Sequence, residues 1–143
     1  MKRQSLKIIW QALLMNSLYI IDSNAVLRYL LKDNLVQCEK VKNTLDEAKK
    51  SGKQVFVTRE VVMECVYTLT RFYKVSRIDI FSALKSFFDT SEIVLENREL
   101  VMKTLEYFLM TNISYVDCLV LEQSKRLGGE LVTFDKKLLA KSK

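Results

Sequence analysis

The sequence predicts one α/β sandwich built on a parallel sheet, and three observations carry that prediction. Short apolar runs at Tyr19–Ile21, Gln54–Val57, Glu92–Leu95 and Glu130–Asp135 read as strands. Helical stretches separate each run from the next, and no hairpin signal joins any consecutive pair, which implies crossover connections and a sheet covered on both faces. No repeat, low-complexity tract or Pro/Gly-rich linker divides the 143 residues, so a single domain is expected over 18–143, preceded by an N-terminal extension over 1–17.

The first strand stops at Asp22, where Ser23-Asn24 open a short helix over Ala25–Leu31. A longer helix follows over Leu35–Lys50, with Val36, Val41, Leu45 and Ala48 apolar among charges and Ser51-Gly52 as its stop. After the second strand, Thr58 is placed to cap a helix from Arg59 to about Tyr73. Arg77–Phe88 is amphipathic, with Ile78, Phe81, Leu84 and Phe88 at helical spacing. The third strand leads into a helix through Leu100, Val101, Leu105, Phe108 and Leu109. Ser114–Leu127 forms another, stopped by Gly128-Gly129, and Lys136–Lys143 a short basic helix or tail after the last strand.

Composition narrows the chemistry. Histidine is absent, which removes Ser-His-Asp and Cys-His nucleophiles, imidazole acid–base pairs and the usual zinc sites. The three cysteines, Cys38, Cys65 and Cys118, form no C-x-x-C pair, so neither a disulfide framework nor a thiolate metal site is expected, and a reducing, cytoplasmic setting suits them. The net charge of +6 sits at the termini: Lys2, Arg3 and Lys7 stand without an acid before residue 19, and residues 135–143 hold four lysines against Asp135. Residues 19–134 are therefore neutral in sum, and the basic balance is weak evidence for nucleic acid. No aromatic-plus-basic RNA-reading motif is expected in this chain. The apolar stretch Ile8–Met15 is interrupted by Gln11, followed by Asn16, and lacks a cleavage site, so neither a signal peptide nor a membrane span is expected, the latter needing about 20 residues.

What remains for chemistry is carboxylate. Asp22 and Asp135 both terminate apolar runs at strand ends, hence at one edge of a parallel sheet, the edge where ligands bind. Either could merely cap the helix that follows. Asp117 lies in Ser114-Tyr115-Val116-Asp117, which resembles a capping box, and Ser76-Arg77-Ile78-Asp79 repeats that spacing with Asp79 read as structural. Glu64 is inside an otherwise apolar segment, Val61 to Val66, and asks for a reason. Cys65 and Cys118, each following a candidate acid, are expected as small core residues. Two carboxylates about 4 Å apart repel by roughly 4 kcal/mol at an effective dielectric of about 20, against a domain stability of about 5–15 kcal/mol. Convergent acids thus require a cation, raised pKa values or a partner's basic side chain. All-oxygen ligation favours Mg²⁺ or Mn²⁺.

These residues resemble the PIN-domain family, specifically its VapC-type toxin ribonucleases. The resemblance covers about residues 18–140 and rests on Ile20-Ile21-Asp22-Ser23-Asn24, Val61-Val62-Met63-Glu64, Tyr115-Val116-Asp117-Cys118-Leu119 and Leu131-Val132-Thr133-Phe134-Asp135. It implies a three-layer α/β/α PIN-like sandwich with a central parallel sheet of four or five strands. It further implies a Mg²⁺- or Mn²⁺-dependent endoribonuclease of a toxin–antitoxin pair, acting on an RNA substrate, commonly a homodimer, and blocked by a cognate antitoxin that often inserts a basic side chain into the acidic pocket. Carried over by position, Asp22, Glu64, Asp117 and Asp135 are the metal-binding and catalytic acids, with Asn24 and Thr133 as supporting polar groups. The alternatives are a non-catalytic PIN-like module whose acidic pocket docks a partner, and a DNA-directed nuclease on the same scaffold.

Overall fold

The computed structural model describes residues 6–10 and 18–143. Most of the expected N-terminal extension, residues 1–5 and 11–17, lies outside the described residues, and residues 6–10 are helical.

Three strands, β1 (Leu18–Ile20), β2 (Gln54–Val57) and β3 (Ile93–Leu95), form one parallel sheet in the order β1-β2-β3. Leu18 pairs with Gln54, and Val55 with Ile93. The backbone N–H of Ile21 extends the ladder by donating to Phe56 O at 3.2 Å. Because all three strands run the same way, their C-terminal ends share one edge, which is where Asp22 emerges.

Among the described residues seven helices follow β1: α1 (Ser23–Leu31), α2 (Leu35–Ser51), α3 (Arg59–Arg71), α4 (Arg77–Phe88), α5 (Arg98–Met110), α6 (Tyr115–Leu127) and α7 (Lys136–Lys141). Their boundaries follow local chemistry. Asp22, Asn34, Thr58, Ser76, Ser114 and Asp135 each accept a backbone N–H from the first turn they precede. Gly52 (φ 73°) and Gly128 (φ 61°) end α2 and α6 in the left-handed conformation that a Cβ disfavours. The core joins Val55, Val57, Ile93 and Leu95 of the sheet to the apolar faces of α1 to α6. In α4, Ile80, Leu84, Phe87 and Phe88 are the buried set, whereas Ile78 is 54% exposed.

Two expectations are corrected. The sheet has three strands among the described residues instead of four or five, because the segment 130–135 is irregular. Local side-chain bonds replace a ladder there: Ser124 Oγ donates to Gly129 O at 2.7 Å, and Thr133 Oγ1 accepts from Asp135 N at 3.0 Å. Val132 and Phe134 are 92% and 103% exposed. As a result β1 is an edge strand among the described residues, and Ile20 is 65% exposed while Ile21 is buried. Among the described residues no helix is long and apolar enough to cross a membrane.

Candidate active site

Asp22 leaves the end of β1 in extended conformation (φ −93°, ψ 171°) and caps α1, its Oδ1 accepting the N–H of Ala25 at 2.8 Å. Ser23 turns inward and is buried, while Asp22 and Asn24 face solvent. A cavity of about 350 Å³ opens between β1 and α2 with Asp22 on its rim, lined also by Tyr19, Ile21, Ala25 and Leu45.

Glu64 reaches the same neighbourhood through helix packing. On α3 the buried face is Val62, Cys65, Val66 and Leu69, a stripe at helical spacing that lies against α1. Cys65 Sγ comes within 3.8 Å of the Ser23 carbonyl oxygen. Glu64 therefore stands on the exposed side of a helix whose buried side touches the residue after Asp22. That answers the question its position raised: neighbouring helix residues point about 100° apart, so an acid among apolar residues stays solvated. Burial pushes the Cys65 thiol up to about 12, and the negative charges of Glu64 and Asp22 add to the effect.

Asp117 is half-buried in the first turn of α6, where its N–H donates to Ser114 Oγ at 3.2 Å. α6 packs against α3 and α5. Burial likewise raises the Cys118 thiol, opposed by the Thr111 hydrogen bond. Both cysteines are core residues, as the sequence suggested. Asp135 is exposed and caps α7, its Oδ1 accepting from Lys137 N and Leu138 N at 3.0 Å each.

None of the four acids forms a salt bridge among the described residues. In Asp22 and Asp135 only one carboxylate oxygen is spent on the cap, so the second is open to a ligand. The donor chemistry suits a hard divalent cation. The arrangement is looser than a preformed cage: among the described residues no three acids or thiols stand close enough together to hold an ion. Asn24 is exposed with no side-chain hydrogen bond among those described, and Thr133 spends its hydroxyl on the Asp135 backbone.

One acid at the same sheet edge escaped the sequence reading. Glu96, directly after β3, accepts the Arg59 N–H at 2.9 Å and lies 3.6 Å from Arg59 Nε. It is neutralised by a cation and anchors the start of α3, the helix that carries Glu64. Its position two residues before a helix, after a weak strand, was the signal available.

The profile of the PIN domain family matches residues 19–143. A VapC ribonuclease of Aquifex aeolicus (strain VF5) is 24% identical over 119 residues, covering 82% of this chain and 87% of that protein.

Proposed function

The chain belongs to the PIN-domain family, and on that premise we propose that it is a VapC-type toxin, an endoribonuclease dependent on Mg²⁺ or Mn²⁺. The observation that carries the reading is the contact of Cys65 Sγ with Ser23 O at 3.8 Å, which packs the residue after Glu64 against the residue after Asp22, while both acids are exposed and neither forms a salt bridge among the described residues. The name of the Aquifex relative supports the ribonuclease assignment.

Asp22, Glu64, Asp117 and Asp135 are the residues that would hold the ion, with Asn24 and Thr133 beside them. When bound, such an ion supplies charge neutralisation for a phosphodiester and activation of water. The protein's own part is placement. The cap on α1 orients Asp22 so that its second oxygen is available, the Cys65–Ser23 contact holds Glu64's helix against that turn, and Ser114 steadies the turn that bears Asp117. Asp135 follows a segment without strand structure and is held by its cap on α7. The proposed setting is cytoplasmic, as a homodimer, with a cognate antitoxin whose basic side chain would serve the acids in place of the cation.

Cleavage of RNA by the purified chain with Mg²⁺ or Mn²⁺, with EDTA, and with Asp22→Asn tests the reading. Loss of cleavage in both controls supports it; cleavage that survives EDTA and the substitution overturns it. The second reading, a non-catalytic module that docks a basic segment, is favoured by the caps that already occupy Asp22 and Asp135 and by the looseness of the acids. It predicts partner binding without metal and no cleavage with any ion.

A further inference from the structure

We propose that the C-terminal end of α3 is a stacking platform for single-stranded RNA, formed by the rings of Tyr67 and Phe72 and flanked by Arg71 and Lys74. The inference rests on the ribonuclease reading and extends it to how substrate is held. Tyr67 and Phe72 are 57% and 72% exposed, yet their rings meet edge to face, with centroids 6.2 Å apart at 75°. An edge-to-face pair leaves ring faces uncovered, and each face is a surface on which any base can stack.

The turn that carries Phe72 is built rather than slack. Phe72 N and Tyr73 N both donate to Thr68 O, at 3.0 and 3.3 Å, and Val75 N donates to Leu69 O at 3.0 Å. Tyr73 is tied from its other side, where its hydroxyl accepts from Arg28 Nη2 and donates to Asp33 Oδ2, both at 3.1 Å. A backbone turn held in place before a ligand arrives has less freedom to lose on binding.

Charge points to nucleic acid. From Tyr67 to Lys74 there are two cations and no acid, and neither Arg71 nor Lys74 makes an ion pair among the described residues. The third observation is continuity with the candidate site. Glu64, Tyr67 and Arg71 are spaced three and four residues apart, so they form one exposed stripe of α3. It spans about 10 Å from acid to cation. A strand stacked on Tyr67 therefore passes the acid proposed to serve its cleavage.

The test is binding of a fluorescent single-stranded RNA oligonucleotide to the full chain in EDTA, where metal-dependent cleavage is silent. Tyr67→Leu and Phe72→Leu keep apolar bulk and remove the π-face; each is expected to weaken binding by about 5- to 150-fold, with Tyr67→Phe near wild type. Arg71→Gln and Lys74→Gln are expected each to flatten the log K against log salt slope by about 0.7. The proposal is overturned if wild type does not bind, if the leucine variants bind like wild type, or if wild type sediments as a dimer that those variants dissolve, which makes the rings a face between copies. Ring-dependent binding without cleavage leaves the platform standing and removes the nuclease; cleavage indifferent to the rings does the reverse.

Discussion

Cys65 Sγ lies 3.8 Å from the carbonyl oxygen of Ser23, and this contact joins the two halves of the candidate site. Ser23 follows Asp22 and Cys65 follows Glu64, so the buried partner of each acid touches the other's while both carboxylates stay in solvent.

Asp22 does two things that substitution separates. Asn is as good an N-cap as Asp, so Asp22→Asn is expected to melt close to wild type. Asp22→Ala loses the cap to Ala25 N and is expected to cost about 1 kcal/mol. On the proposal that Asp22 binds the ion directly, both are expected to lose RNA cleavage by at least about 100-fold, since a ligand should matter no less than its surroundings. Thermal melts alongside cleavage assays check the split.

The thiols should divide cleanly. Cys65 and Cys118 are buried with their thiols pushed up by burial, Cys65 to about 12, whereas Cys38 is half-exposed. At pH 8 the folded protein is expected to react with Ellman's reagent at Cys38 alone, and at all three cysteines once denatured.

Arg77 should be a large stability determinant. Its Nη1 donates to Phe108 O at 2.7 Å and to Ile113 O at 2.8 Å, and its guanidinium lies 4.0 Å from the Phe108 ring centroid. One side chain thus satisfies carbonyls in the last turn of α5 and in the loop that leads to α6 and Asp117. Arg77→Gln is expected to cost about 2 kcal/mol or more, a fall of about 4–8 °C in melting temperature, with Arg77→Lys in between.

Asp89 gives a pH signature. The Lys85 hydrogen bond at 2.6 Å, joined by Arg98, holds its carboxyl below the usual value of 3.8. Between the folded and unfolded values the folded state binds fewer protons, so stability rises with pH across that window. The contribution is present above 3.8 and lost as pH falls through the folded value. Asp89→Asn is expected to melt below wild type at pH 7, and the gap to close as pH falls below 3.8. Melting temperatures of both proteins across an acid series check it.

Most of the element order was legible because helix ends are decided by residues within a turn of them. Thr58 accepts the Val61 N–H, Ser114 that of Asp117, and Gly52 and Gly128 turn left-handed where the apolar period stops. The choice between cap and ligand for Asp22 and Asp135 was not legible: both do cap, and a cap leaves one oxygen for other work. The strand at 130–135 failed for a related reason. Its β-branched and aromatic residues favour extended backbone, but a strand also needs an edge within reach, and Ser124 and Thr133 offered the backbone nearer partners.

Alone, then, the sequence determined the α/β class, the boundaries of nearly every helix, the lack of imidazole chemistry and the four acids in order, since each depends on composition or on neighbours a few residues away. Only the tertiary structure decided that β1 lies at an edge among the described residues, that Cys65 beside Glu64 packs on Ser23 beside Asp22, that Glu96 is spoken for by Arg59, and that Tyr67 and Phe72 stand exposed together. Those relations depend on which surfaces meet, and the packing of α3 between α1 and α6 sets them over distances that local periodicity does not encode.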